Sequence, residues 1–389
     1  VISLKHIGKL NSGGTPSTGV SAYWENGTIP WISSGEVNNN MIQKSEKKIT
    51  NLGLIESSAK LFPKNSILIA ITGEGATRGR TSVLKIDATT NQSVVGIVLD
   101  SKKSYYFFLW YHIQSQYLNL RNSGHGSVQS GLNLNLLQNY PVVLQKISEQ
   151  KQISSYLDKK TKTIDDEITK NHNLIKLLQE KRQSEINRAV TKGLDDTVPT
   201  KDSGIEWIGE IPEEWNSIKL KFLIADGNSI TPGPFGSELK TSDYVDKGSK
   251  IYNQKDILDS SVDMDLFVSK EKFDKLSSFH VKSGDILLTS RGSIGKSKII
   301  PEKYLPGIIH PCLIRVRIDE YQIKNSYVNL IINESTMFKE NIRFNSNGTV
   351  IEVIYGKTLK EVIIPVPSLP EQKQIISYLD KKTTKIDSL

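Results

Sequence analysis

Several kinds of chemistry are missing from this 389-residue chain. It has one cysteine, Cys312, and six scattered histidines. This composition excludes an internal disulfide, suits a reducing compartment and makes a structural zinc site very unfavourable. No uninterrupted apolar run approaches the length of a membrane span, and no signal peptide is visible.

Recognisable catalytic motifs are also missing. Residues 295–297 (Gly-Lys-Ser) resemble the end of a phosphate-binding loop, but Ser290 stands where that motif requires glycine. Residues 73–75 (Gly-Glu-Gly) do not complete a dinucleotide fingerprint, because the next required glycine is Arg78. No adenine-methylation tetrapeptide, S-adenosylmethionine loop or Ser/His/Asp set can be nominated. The sequence therefore favours binding over catalysis, and it predicts no cofactor and no metal.

Charge of one sign prevails. The chain has 50 Lys and Arg against 42 Asp and Glu, a net charge of +8 and a pI near 9.1. Such a balance favours a polyanionic partner, although ribosomal and membrane-surface proteins share it.

The chain contains one segment twice. Residues 149–165 read EQKQISSYLDKKTKTID, residues 371–387 read EQKQIISYLDKKTTKID, and 14 of the 17 positions are identical at an offset of 222 (371 − 149). This offset extends backwards to about Ser104, so that Tyr105 falls on Tyr327. Further upstream the offset becomes 219 (310 − 91), which aligns Asn91 with His310. Two divergent modules of similar length are thus each followed by a near-identical segment, which indicates a duplicated fold with two different surfaces.

The modules read as α+β. Short apolar runs between glycine turns predict strands in residues 1–100, and the apolar stretches 104–119 and 327–342 predict helices packed on the sheet. The aromatic run 105–111 is expected to be core and not a base-stacking platform. The predicted divisions are 1–145 for the first domain, 146–194 for a long helix, 195–214 for a linker, 215–367 for the second domain and 368–389 for the start of a second helix.

Residues 149–194 predict a helix that needs a partner. They contain no proline and one glycine, and apolar residues recur in alternating steps of four and three. A rod of roughly 60 Å cannot bury such a stripe within itself, so we expect pairing with the second copy. Asn171 would either set the register or lie in solvent. The residues expected in helix pairing and partner docking are Ile153, Leu157, Ile164, Ile168, Asn171, Ile175, Leu178, Ile375, Leu379 and Ile386.

Glycine-flanked polar loops recur at corresponding places in both modules. Arg, Asn, Gln and His match the donors and acceptors of base edges, while Lys and glycine suit phosphates. The alternative is ordinary solvated loops, with Arg121 and Arg343 bracing the helices before them. The candidate DNA-binding residues are Arg78, Arg80, Asn91, Gln92, Arg121, His125, Gln129, Arg291, Lys296, Lys298, His310, Arg343, Asn345 and Asn347.

Taken together, the two modules, the helix openings EQKQI-x-SYLDKKT and the linker IEWIGEIPEEW at 205–215 resemble the specificity (S) subunit of type I restriction-modification systems. The resemblance covers essentially the whole chain. It implies two target recognition domains, each reading half of a split double-stranded DNA site. It also implies long helices that pair as an antiparallel coiled coil, set the spacing and dock two methyltransferase (M) subunits, with restriction (R) subunits joining the cytoplasmic complex.

Two departures from that pattern leave other interpretations open. No counterpart of GEIPEEW precedes the first module, and the second helix stops after about twenty residues. We expect either trimming or a natural truncation. The alternatives are a scaffold that captures partners through its helices without reading DNA, and a fused restriction-methylation polypeptide whose catalytic part is absent.

Overall fold

The computed structural model describes residues 1–38, 40–73, 77–123, 132–227, 229–258, 265–345 and 353–388. They form two compact units, Val1–Thr169 (unit 1) and Lys170–Leu389 (unit 2). One continuous 46-residue helix, Ile147–Lys192, begins in unit 1 and ends in unit 2.

Unit 1 is a mixed sheet structure with helices packed on it. Its strands are β1 (Ile2–Ser3), β2 (Gly8–Ser12), β3 (Ile29–Ile32), β4 (Met41–Ile42), β5 (Lys47–Ile49), β6 (Ile67–Ala70), β7 (Thr81–Leu84), β8 (Thr89–Thr90), β9 (Val94–Leu99) and β10 (Pro141–Val142). Its helices are α1 (Asn51–Ile55), α2 (Tyr106–Ser115), α3 (Tyr117–Asn122), α4 (Leu134–Gln138) and the start of α5 (Ile147–Lys192). The sheets run β2-β9-β6-β7-β4, β5-β3-β8 and β1-β10.

The central strand β6 explains how this unit is layered. All four of its residues are buried, as expected for an apolar run covered on both faces. Ile67 and Ile69 pack on one side with Leu109 and Trp110 of α2, while Leu68 belongs to the cluster on the other side. The aromatic run is therefore core, as predicted.

Unit 2 repeats this plan. Its strands are β11 (Thr200–Asp202), β12 (Glu210–Pro212), β13 (Asn216–Lys219), β14 (Ile230–Pro232), β15 (Tyr244–Val245), β16 (Ser249–Tyr252), β17 (Leu266–Val268), β18 (Ile286–Thr289), β19 (Ser297–Ile299), β20 (Gly307–Ile309), β21 (Leu313–Val316) and β22 (Ile363–Val366). Its helices are α6 (Gln254–Leu258), α7 (Lys270–Lys275), α8 (Asn325–Glu334), α9 (Thr336–Phe344), α10 (Gly356–Lys360) and α11 (Leu369–Asp387).

The strand orders show that one topology is used twice. The sheets of unit 2 run β14-β21-β18-β19, β15-β17-β16-β20, β13-β22 and β11-β12. The order β14-β21-β18-β19 reproduces β2-β9-β6-β7, with antiparallel pairs at each step. The predicted α+β class and the duplicated domain are confirmed.

The structure corrects the expected alignment of the two copies near Ser104. Helices α2 and α8 have ten residues each and are offset by 219 (325 − 106). Tyr105 therefore corresponds to Lys324 and not to Tyr327. Helix α9 has nine residues where α3 has six, so the three-residue insertion lies there.

The segment 195–214, predicted as a linker, contains the hairpin β11-β12. Ile208 and Ile211 are buried in the core of unit 2, and so is Trp215 just beyond the segment. The indole nitrogen of Trp215 donates a hydrogen bond to Glu371 at the start of α11, over 3.0 Å. Apolar residues of this segment thus form part of the folded unit.

The end of α5 packs against α11 within unit 2. Ile186, Ala189 and Val190 share a buried cluster with Ile375 and Leu379. Ile375 and Leu379 belong to the predicted pairing set, and both are buried here.

The polar contacts show that the two helices run antiparallel. The Tyr378 hydroxyl donates to Glu185 over 2.9 Å, and Arg182 lies 3.4 Å from Asp387, later in α11. Residues later in α11 therefore contact residues earlier in α5.

The middle of the predicted stripe lies on the surface. Ile164, Ile168 and Ile175 are 54%, 47% and 52% exposed, and Asn171 is also exposed. The remaining members of the predicted set are half-buried: Ile153, Leu157, Leu178 and Ile386.

Candidate nucleic-acid interface

Three loops meet at one edge of the main sheet in each unit, and we call this the polar edge. It comprises the described residues 13–15, 72–73, 77–80 and 91–93 in unit 1, and 233–235, 290–296 and 310–312 in unit 2. In unit 1, the backbone N–H of Ile71 donates to the carbonyl of Ser93, and that of Gly13 donates to Val94, both over 2.9 Å.

The same bonds join the loops of unit 2. The backbone N–H of Ser290 donates to the carbonyl of Cys312, and that of Gly233 donates to Leu313, both over 2.9 Å. The two polar edges therefore have equivalent backbones, and their side chains differ.

In unit 1 a left-handed glycine presents an arginine. Gly79 has φ +85°, a conformation that residues with a Cβ rarely adopt. Its N–H donates to the Ala70 carbonyl over 2.8 Å, and the N–H of Ala70 donates to the Arg80 carbonyl over 3.0 Å. These two bonds pair Ala70 with Gly79 and Arg80, and the side chain of Arg80 is exposed at the polar edge.

In unit 2 the same turn presents a lysine. Gly295 has φ +75°, its N–H donates to the Thr289 carbonyl over 3.1 Å, and the N–H of Thr289 donates to the Lys296 carbonyl over 2.8 Å. Lys296 is exposed. The two copies thus place a cation at one equivalent backbone position, although their loops differ in length.

A cavity of about 260 Å³ with both polar and apolar lining residues lies beside Arg80. The Arg80 guanidinium is 5.8 Å from the ring centre of Tyr117, and Gln114 donates to the side-chain oxygen of Asn40 over 3.1 Å. Amide and guanidinium groups beside an aromatic ring can both hydrogen-bond and stack against a base.

Asn91 and His310 have the same structural role. The Asn91 side-chain oxygen accepts the Ser93 N–H over 3.2 Å, and Nδ1 of His310 accepts the Cys312 N–H over 3.2 Å. Burial lowers the pKa of His310, which favours the neutral ring required for Nδ1 to accept. The proton then lies on Nε2, so this nitrogen is the donor that the ring can offer to a ligand.

Two further glycines allow the first loop to approach this turn. A Cβ on Gly13 would lie 2.4 Å from the Asn91 carbonyl oxygen, and one on Gly233 would lie 2.2 Å from that of His310. Only glycine fits at either position.

Thr15 and Phe235, which lie two positions after Gly13 and Gly233, each contact a predicted site residue. The Thr15 hydroxyl donates to the side-chain oxygen of Gln92 over 2.5 Å. In unit 2, Phe235 is 47% exposed and its ring centre lies 5.4 Å from the guanidinium of Arg291, which is also exposed. The structure thus brings Gln92 and Arg291 to the polar edges.

Other predicted site residues are engaged in their own elements. Arg343 forms an ion pair of 2.7 Å with Glu340, and Arg121 contacts the Tyr117 hydroxyl at 3.2 Å. The Asn345 side chain donates to the Asn341 carbonyl over 2.9 Å at the end of α9. These contacts favour the alternative in which both arginines brace their helices.

Two further predicted residues are half-buried. Arg78 lies between β6 and β7 of unit 1, and Lys298 lies in β19 of unit 2. His125, Gln129 and Asn347 lie outside the described residues.

Sequence reasoning missed four side chains near the polar edges: Thr15, Asn40, Gln114 and Phe235. The signal for Thr15 and Phe235 was a Gly–Pro-rich turn directly after a strand in each copy. No comparable signal marks Gln114, because it lies in a helix whose buried residues are Phe108, Leu109, Trp110 and Ile113, and nothing in the sequence distinguishes it from an ordinary surface position.

Two negative findings concern the described ranges alone. Within them, no three His, Cys, Asp or Glu side chains converge as metal ligands. Among the same residues, no helix combines the length and apolar character needed to cross a membrane.

Similar proteins carry the same architecture. A chain from a structure described as the basis of complex assembly and conformational transition of the type I R-M system superposes with a TM-score of 0.68 at 16% identity, covering 100% of this chain and 90% of that one. The HsdS subunit from Thermoanaerobacter tengcongensis gives 0.63 at 14% identity, covering 100% and 89%. These likenesses show a shared fold.

Sequence relatives point the same way. The EcoR124I/EcoR124II specificity subunit of Escherichia coli is 33% identical over 40% of this chain and 39% of its own length. The MjaVIII specificity subunit of Methanocaldococcus jannaschii is 24% identical over 91% of this chain and 79% of its own. The model of the type I restriction modification DNA specificity domain matches residues 1–177 and 212–389. With both modules matched, the chain belongs to the family of type I restriction-modification DNA specificity domains.

Proposed function

We propose that this chain binds double-stranded DNA sequence-specifically, as the non-catalytic specificity subunit of a type I restriction-modification complex. Each unit would read one half of a bipartite target through its polar edge. The observation that carries the proposal is the equivalent turn that presents Arg80 in one unit and Lys296 in the other. A duplicated backbone that displays a cation, with different neighbouring polar side chains, is what two readers of different half-sites require.

The side chains at the polar edges would contribute to DNA binding in two ways, through affinity for phosphates and through discrimination between bases. Arg80, Arg291 and Lys296 are exposed cations, and neutralising phosphates supplies affinity without sequence information. Gln92 and the cavity amides Asn40 and Gln114 offer base-edge donors and acceptors, each good bidentate pair being worth roughly 1–3 kcal/mol of discrimination.

The proposed partners are two methyltransferase subunits, with restriction subunits joining through the complex. The exposed middle of α5, where Ile164, Ile168 and Ile175 are about half exposed, is the surface proposed for the methyltransferase. We place the complex in the cytoplasm, in keeping with a chain that has a single cysteine.

A salt-dependence experiment tests the DNA-binding proposal. The chain is co-expressed with its methyltransferase subunits, the methylated motif is mapped, and a duplex with that motif is titrated at several salt concentrations. We expect Arg80→Ala and Lys296→Ala each to weaken binding and to reduce the slope of log K against log salt by about one.

Exposed cations away from the polar edges provide the matched controls. Lys102→Ala and Lys303→Ala remove the same charge from other surfaces, so the slope should not change. Equal slopes for the polar-edge and control variants would contradict the proposal, and binding of methyltransferase without any DNA binding would favour a scaffold.

A further inference from the structure

One buried glutamine occurs at the same place in both units. Gln150 and Gln372 lie in the first turns of α5 and α11, at corresponding positions of the repeated segment, and both side chains have no solvent exposure. A fully buried amide must find partners for its oxygen and both of its hydrogens.

In unit 1, Gln150 joins the helix to two other chain segments. Its side-chain oxygen accepts the N–H of Tyr105, the residue that precedes α2, over 2.8 Å. Its side-chain nitrogen donates to the carbonyl of Lys103 over 3.3 Å and to that of Gln145, after β10, over 2.8 Å.

In unit 2, Gln372 makes the same three bonds. It accepts the N–H of Lys324, the residue that precedes α8, over 2.8 Å. It donates to the carbonyl of Gln322 over 3.3 Å and to that of Pro367, after β22, over 2.9 Å. In unit 1 the Ser104 hydroxyl also donates to the Gln150 side-chain oxygen, over 3.5 Å. The three bonds common to both units all go to backbone atoms, so the modules could diverge in sequence while these bonds stayed the same.

Directional bonds at the base of a helix do what apolar packing cannot. Apolar burial is non-directional, whereas three hydrogen bonds to one amide fix the angle at which the helix leaves the sheet. The 46 residues of α5 span about 70 Å, and a tilt of about 10° at its base would move its far end by about 12 Å. That displacement exceeds three base pairs of DNA at about 3.4 Å each.

We propose that Gln150 and Gln372 are positioning residues that lock each recognition unit onto the first turn of its helix and so make DNA binding sensitive to the spacing of the two half-sites. This inference rests on the proposed function for its effect on DNA. The mechanical part, the fixed helix angle, does not depend on that function.

The first test measures the helix angle directly in the full chain. Spin labels are placed at Lys48→Cys in the sheet and Lys162→Cys on α5, both exposed, in a Cys312→Ser background. Pulsed dipolar spectroscopy should give a narrow distance distribution that broadens in Gln150→Glu, which cannot donate, and in Gln150→Met, which keeps the length without burying a charge. Gln152→Glu and Gln152→Met are matched controls on the exposed face of the same turn and should leave the distribution narrow.

The second test uses the mapped bipartite duplex with its own spacer and with one base pair added or removed. Wild type should prefer its own spacer, and Gln150→Met and Gln372→Met should reduce that preference about tenfold while affinity for a single half-site stays the same. A narrow label distribution in both Gln150 variants, or spacer preference equal to that of the controls, would overturn the proposal. A wild-type chain without spacer preference would count against the proposed function, and the label distances would still decide whether Gln150 fixes the helix.

Discussion

At the residue scale, the candidate DNA-binding side chains differ in the hydrogen bonds that they form within the protein. Arg80 and Lys296 are displayed by equivalent turns, whereas Asn91 and His310 each use one acceptor to close a backbone turn. Recurrence between the two copies was enough to find these positions. Their roles depend on the turn geometry around Ser93 and its counterpart, which residue types alone do not reveal.

His310 makes stability depend on pH. Burial lowers its pKa below the ordinary value of 6.5, so as pH falls the unfolded chain binds this proton first. The group therefore lowers the free energy of unfolding as pH drops through 6.5 towards the folded pKa. His310→Asn would keep the acceptor, as Asn91 does in unit 1, and remove the titration.

We expect the loss of unfolding free energy between about pH 7.5 and about pH 5.5 to be smaller in His310→Asn than in wild type, as measured by urea unfolding. His112, whose pKa burial also lowers, is unchanged in both proteins and cancels in the comparison. Identical pH dependence in His310→Asn would show that the pKa of this ring is the same in the folded and the unfolded chain, and would contradict the prediction.

Arg315 shows what sequence could not predict at this scale. It is 1% exposed in β21, yet its guanidinium donates to the carbonyls of Ser278 and His280 and to the Thr231 hydroxyl. Its counterpart in β9 is Gly96, where a Cβ would lie 2.3 Å from the ring of a phenylalanine. One topology thus accommodates a hydrogen-bonded cation or an aromatic ring at the same core position.

At the element scale, periodicity and apolar runs predicted which segments form strands and helices, but the alignment of the two copies was partly wrong. The buried strand β6 and helix α2 follow from apolar runs and an aromatic stretch. The three-residue insertion in α9 was placed wrongly because little identity survives around it. The lengths of α3 and α9 locate it, and the equivalent hydrogen bonds of Tyr105 to Gln150 and of Lys324 to Gln372 agree.

The spacing of apolar residues predicted that one face of α5 packs against another surface. It did not predict which part of α5 packs against α11. Ile186 and Ala189 are buried against α11, whereas Ile164 and Ile168 remain about half exposed. A heptad pattern specifies that a helix face binds another surface, and it does not identify which surface covers each turn.

The exposed part of α5 supports a prediction about partner binding. Ile168→Glu places a charge on a side chain that is 47% exposed, so the fold should change in stability by no more than about 0.5 kcal/mol. Burying that charge under a methyltransferase subunit would be unfavourable, so we expect weaker association. Calorimetric titration with the purified methyltransferase subunit measures both affinity and stoichiometry.

Lys170→Glu is the matched control, since it changes charge at an exposed position two residues away. It should reduce affinity much less than Ile168→Glu. Equal affinity for wild type and Ile168→Glu would remove this face from the proposed docking surface.

At the scale of the whole molecule, duplication followed by divergence gives two units with the same backbone framework and different side chains at their polar edges. Several backbone hydrogen bonds of the two polar edges correspond, while Asn91 aligns with His310 and Arg80 aligns with Lys296. A shared scaffold can therefore carry two unrelated specificities, and the avidity of two linked readers exceeds that of either alone. Sequence comparison predicted this organisation because the helix openings stayed nearly identical while the modules diverged.

The two readers should be separable by mutation. Arg80→Ala with Gln92→Ala alters only the polar edge of unit 1, and Arg291→Ala with Lys296→Ala alters only that of unit 2. In the complex with methyltransferase subunits, each pair should relax or change the mapped methylation motif at one half-site and leave the other half and the spacer intact. Since the two sets share no contact described above, their effects on binding free energy should add within about 0.5 kcal/mol in the fourfold variant. Sequencing of modified bases in cells that express each variant provides the readout. If either pair changed both halves of the motif, the units would not be independent readers, and the recurrence of their loops would reflect the fold alone.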